Sequence, residues 1–163
     1  MKTIRVGFSY RKNNLFSSII KEVTASKVSH VYIRVPNKLG DDLIFQASGL
    51  QVNLCSLSVF LEKEVVLEEY DIEVSGKQYT YFRKFIVSSL GKPYGLAEIF
   101  GFLFIIIAKK FGKTINNPFS QGDKAYICVQ LAMDCIGLTD NDDKWNPEEF
   151  RRWCEKNAKV VLP

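Results

Sequence analysis

Val28-Ser29-His30-Val31-Tyr32-Ile33-Arg34-Val35 is the stretch whose reading decides the fold. β-Branched residues favour a strand, and successive strand side chains point to opposite faces. Val31, Ile33 and Val35 then form an apolar row, and His30, Tyr32 and Arg34 the opposite one. The run stops at Pro36-Asn37-Lys38-Leu39-Gly40-Asp41, which is turn chemistry. Residues 43–47 read as a second strand, Ser48-Gly49 turns the chain, and residues 50–54 make a third. Two adjacent hairpins are expected.

Working outward, residues 3–10 alternate loosely and read as a strand. Asn13-Asn14 opens a helix with Leu15, Ile19 and Val23 at helical spacing. Downstream, residues 56–62 read as a short helix and 64–74 as a strand. Ser75 caps a helix with Gln78 as its capping-box partner; Tyr79, Phe82, Ile86 and Leu90 form its stripe, and Gly91 ends it. Residues 96–110 read as a second, very apolar helix. A loop rich in Asn, Pro, Ser and Gly spans 114–122, and residues 125–136 form a helix ended by Gly137. Asn146-Pro147-Glu148-Glu149 opens another helix, with Asn as cap and Pro first. Residues 159–162 add an edge strand. Strands with one helix, followed by helices, predict an α+β fold: an antiparallel sheet covered on one side by helices. No linker divides the 163 residues, so 1–163 reads as a single domain.

The formal charge of +4 is spread over short basic pairs such as Arg11-Lys12, Lys109-Lys110 and Arg151-Arg152. No dense basic run tracks a phosphate backbone, so no nucleic acid partner is expected. The four cysteines, Cys55, Cys128, Cys135 and Cys154, include no C-x-x-C pair. With a single histidine beside them, no metal and no other cofactor is expected. Cys128 and Cys135 lie about 10 Å apart along a helix, too far to bridge, and reduced thiols are the default. The first five residues, Met1-Lys2-Thr3-Ile4-Arg5, lack the apolar core of a signal peptide. Residues 99–108 are all apolar or glycine, but a bilayer needs about 20 such residues. The expected location is therefore cytoplasmic. The 96–111 segment has two readings: a helix buried on most sides, or a greasy face toward lipid through Phe100, Phe104 and Phe111.

Any imidazole chemistry must use His30, the one histidine. Cys128 lies near the start of the helix Ala125-Tyr126-Ile127-Cys128-Val129-Gln130-Leu131, where the helix N-terminus favours a thiolate and offers N–H groups to an oxyanion. Gln46, in the strand after His30, could accept the imidazole N–H and fix its tautomer. Each residue also has a plain structural reading. His30 fits a half-buried strand position and Gln46 a solvated one. Cys128 fits a buried seam with Leu131, Ala132 and Cys135. Cys55, between a strand and a helix, reads as structural.

Ordered segments over nearly the whole chain favour the chemical reading. Ser29-His30-Val31-Tyr32-Ile33 comes first, then Ile44-Phe45-Gln46-Ala47-Ser48-Gly49-Leu50-Gln51-Val52, then Leu90-Gly91-Lys92-Pro93-Tyr94-Gly95. Tyr126-Ile127-Cys128-Val129-Gln130-Leu131 and Asn146-Pro147-Glu148-Glu149-Phe150 follow. In this order they resemble the permuted branch of the NlpC/P60 papain-like superfamily, which contains the YiiX-like proteins and is related to the lecithin:retinol acyltransferases. The resemblance implies a circularly permuted papain-like fold, with His30 as base, Cys128 as nucleophile and Gln46 as the third, polar residue. It also implies Tyr126, Tyr94 and Ser29 beside the substrate. Two departures stand out: Gln46 where Glu or His is frequent, and Val129-Gln130 where Ser-Glu is common. The activity implied is thiol-dependent hydrolysis of an amide, peptide or isopeptide bond. The alternatives are a lipid ester hydrolase or acyltransferase, and an idle accessory protein on the same scaffold. The partner is then a peptide or lipid-type acyl substrate, with peripheral membrane contact through 96–111 in the lipid reading.

Overall fold

The computed structural model describes residues 1–93, 108, 112–113, 127–138 and 145–162. The 96–110 helix, the 114–122 loop, Tyr94, Tyr126, Phe100, Phe104 and Phe111 lie outside the described residues. The described elements run β1 (Lys2–Arg11), α1 (Leu15–Val23), β2 (His30–Val35), β3 (Leu43–Ser48), β4 (Gln51–Ser56), α2 (Leu57–Leu61), β5 (Glu64–Val74), α3 (Gly76–Ser89), α4 (Cys128–Ile136), α5 (Pro147–Asn157) and β6 (Lys159–Leu162).

Six strands form one antiparallel sheet in the order β4-β3-β2-β1-β5-β6. The alternation of β2 comes out as the sequence predicts. Val31 and Ile33 join Ile4, Val6 and Phe8 of β1 and Phe45 and Ala47 of β3 in the main core. That core is completed by Phe82, Phe85 and Ile86 of α3, Val129, Leu131, Ala132 and Ile136 of α4, and Phe150 and Cys154 of α5. Short side-chain caps start α1, α2, α3 and α5. Ser75 with Gln78, and Asn146 with Glu149, both make reciprocal capping boxes. Gly137 ends α4 at φ +78°, the left-handed conformation that glycine adopts without strain.

Two expectations need correction. The sheet is not covered on one side only. On the second face Phe60 of α2 packs over Tyr32 and Ile44. Ion pairs flank this small cluster: Arg5 to Asp71 at 2.8 Å, and Arg34 to Asp42 at 2.7 Å and to Glu69 at 3.2 Å. Tyr32 lies so close over β1 that a Cβ at Gly7 would overlap its ring. Secondly, β4 runs through Cys55 to Ser56, so Cys55 is a strand residue. The expected helix after Asn14 is present as α1, with Leu15 77% exposed. It is seated by a polar contact, in which the Ser17 hydroxyl accepts from the Arg11 N–H and lies 2.6 Å from that of Ser29.

Candidate active site

His30 begins β2 at the point where the two apolar clusters meet. Its ring lies 6.4 Å from that of Phe60, centroid to centroid, and the Cys128 thiol is close enough to act on its protonation. Cys128 is the first residue of α4, a helix that packs against β2 and β3. Ile127 precedes it in extended conformation and makes no side-chain cap. The cap position therefore offers no side chain to the first-turn N–H groups, which have no partner within the helix.

Gln46 Oε1 lies 2.8 Å from His30 Nε2. An amide oxygen can only accept, so Nε2 carries the proton and Nδ1 is left as the acceptor for the thiol. The orientation of Gln46 is itself fixed. Its Nε2 donates toward Asn53 Oδ1 at 3.4 Å and the Cys55 sulfur at 3.5 Å. Asn53 in turn donates its amide to the carbonyls of Ser48 and Gln51, both at 3.1 Å, which leaves its own oxygen toward Gln46. Two backbone carbonyls of the β3–β4 hairpin thus set, through Asn53 and Gln46, the tautomer of His30.

Burial works to lower the His30 pKa, yet the net direction is upward. The hydrogen bond and charge interaction with Cys128 outweigh it, helped by the charge of Glu64 and the bond to Gln46. The other thiols are held protonated. Burial raises Cys55, drives Cys135 well above the ordinary thiol value, and pushes Cys154 up to about 12. Among the described residues, no group of three or more His, Cys, Asp and Glu side chains could hold a metal. No helix among them is long and apolar enough to cross a membrane.

His30, Gln46 and Cys128, predicted as site residues, come together. Ser29, predicted beside the substrate, is buried with its hydroxyl against Ser17. Tyr94 and Tyr126 lie outside the described residues. Sequence reasoning missed Asn53, Phe60 and Glu64. The polar alternation Gln51, Asn53, Cys55 along β4 could have pointed to Asn53, which pairs in register with Gln46.

Over 99% of this chain and 88% of the other, the structure superposes with TM-score 0.57 and 16% identity on the crystal structure of the metalloprotein YiiX (DUF1105) from Escherichia coli O157:H7. The chain has a YiiX-like fold. No protein-family model matches the sequence, and no curated relative does.

Proposed function

We propose that this chain is a cysteine-dependent hydrolase on a circularly permuted papain-like (NlpC/P60) scaffold, acting on an amide, peptide or isopeptide bond. One observation supports the reading: Gln46 Oε1 lies 2.8 Å from His30 Nε2, and Cys128, at the start of α4, acts on the protonation of the same ring. In the proposed reaction Cys128 Sγ attacks the acyl carbon and its proton passes to His30 Nδ1. The imidazolium then protonates the leaving amine as the C–N bond breaks. Water, deprotonated by the same nitrogen, hydrolyses the thioester and returns the thiol. First-turn N–H groups of α4 stabilise the oxyanion.

One feature favours a second reading, an idle accessory protein: Cys128 and His30 are only 6% and 9% exposed. Alkylation by iodoacetamide, followed peptide by peptide, decides between them. Cys128 is expected to label at least about tenfold faster than Cys55, Cys135 and Cys154 at pH 7, and to lose that advantage in His30→Ala. Equal, slow labelling of all four thiols sinks the enzyme. Peptide, isopeptide and lipid ester substrates, tested against wild type and Cys128→Ala, then identify the acyl group.

A further inference from the structure

The set Cys128, His30 and Gln46 lacks a negative charge. Proton transfer makes His30 an imidazolium, and Gln46 orients that cation without neutralising it. A carboxylate lies nearby, on a strand that sequence reading left out of the site. Glu64, the first residue of β5, is 6% exposed. The fully buried Ser9 donates its hydroxyl to Glu64 Oε2 at 3.0 Å, and Arg11 Nε donates to Oε1 at 2.8 Å. Ser9 is also the cross-strand partner of His30. Such partners hold their Cβ atoms about 4.5–5.5 Å apart on one face. The carboxylate is therefore hydrogen-bonded to the residue that lies opposite His30 across the strand pair. Its side chain is 5% exposed whereas that of Arg11 is 39% exposed, so water screens the opposing cation more than the anion.

We propose that Glu64 is a positioning residue, the buried counter-charge that stabilises the His30 imidazolium in place of the neutral Gln46. Its catalytic meaning rests on the hydrolase reading above; its electrostatic action on His30 does not. The charge of Glu64 acts on His30 in the required sense, holding its pKa up. The neighbouring groups among the described residues are few. Cys128 faces the ring from α4, Gln46 from β3 and Phe60 from α2. Beyond Gln46 lies Cys55, on which Lys63 acts. Arg11 and Ser9 of β1 hold Glu64.

A single histidine gives a single imidazole signal, so proton NMR titration of the ring reads this one site. The titration is run in Cys128→Ala, to remove the thiolate, with Glu64 intact, as Glu64→Gln and as Glu64→Asp. The Gln variant is expected to lower the His30 midpoint by about 0.5–1 pH unit, and the Asp variant by a smaller step because its charge is retained but retracted. In the Cys128 enzyme the acid limb of kcat/KM, below which the base His30 is already protonated, moves down by the same amount. A folded Glu64→Gln protein whose midpoint stays within roughly 0.2 unit overturns the proposal. Should that variant not fold, Glu64→Asp decides, and an unmoved or raised midpoint overturns it. A midpoint that falls in a protein without Cys128-dependent turnover refutes the hydrolase reading alone. Turnover with an unmoved midpoint refutes the counter-charge alone.

Discussion

At His30 one hydrogen bond decides the role of both ring nitrogens. Because Gln46 presents its oxygen, Nε2 is a donor and Nδ1 is left unprotonated, free to accept a proton. Gln46→Ala leaves a buried N–H without its acceptor. It is expected to cost about 1–3 kcal/mol in urea denaturation, and to slow Cys128 alkylation as the unproductive tautomer gains population. Gln46→Glu places a charge directly on the ring and is expected to raise the His30 titration midpoint. Position alone left His30, Gln46 and Cys128 each with a structural reading; the ordered segments around them, resembling the permuted NlpC/P60 branch, are what singled the three out. Asn53 and Glu64 were not. Their meaning depends on which residues lie opposite, Gln46 for Asn53 and, through Ser9, His30 for Glu64, and register is a property of the assembled sheet.

Helices with local start signals kept their predicted beginnings. Ser75 and Asn146 close capping boxes within four residues of chain, and nothing distant is needed to form them. Asn146→Ala removes the acceptor for the N–H groups of Glu148 and Glu149 and is expected to destabilise the protein by about 1 kcal/mol, measured by thermal unfolding. The helix expected from the spacing of Leu15 and Ile19 is present as α1, but helical spacing shows which residues share a face, not which face is buried; here Ser17, rather than Leu15, meets the strand. The cover on the second sheet face was hidden for another reason: α2 has five residues, too few to display a period. The strand pair beneath that face has its own requirement. Gly7→Ala drives a methyl group into the Tyr32 ring and is expected to lose about 1–3 kcal/mol, read from the urea midpoint at unchanged m-value.

Across the molecule, carboxyl groups pull stability in opposite directions with pH. Arg34 holds Asp42 below the usual carboxylate range, so its contribution is present at neutral pH and is lost as pH falls through that depressed value. Asp134 does the reverse. Burial pushes it up to about 6 against the pull of Lys92, so the native state holds its proton longer than the unfolded chain. Stability therefore declines as pH rises from the ordinary carboxylate value toward 6. Asp134→Asn is expected to gain about 1 kcal/mol at pH 7, a figure reduced for the partial exposure of the group, and to gain nothing at pH 3.5; denaturation at the two pH values checks it. The α+β class was legible from element order, and the ordered segments carried the likeness to YiiX-like proteins; the two-sided packing was not.

Cys128, His30 and Gln46 are drawn from distant parts of the chain, and this shapes how the protein folds. His30 and Gln46 are 16 residues apart within one hairpin, whereas Cys128 arrives from a helix far downstream. Each doubling of a closed loop costs about 0.6 kcal/mol more entropy, so the hairpin forms its contact before the helix can dock. A refolding chain thus acquires an oriented base while its thiol is still a bystander. Stopped-flow thiol reactivity then becomes a clock for the docking of α4, separate from any optical signal of the sheet.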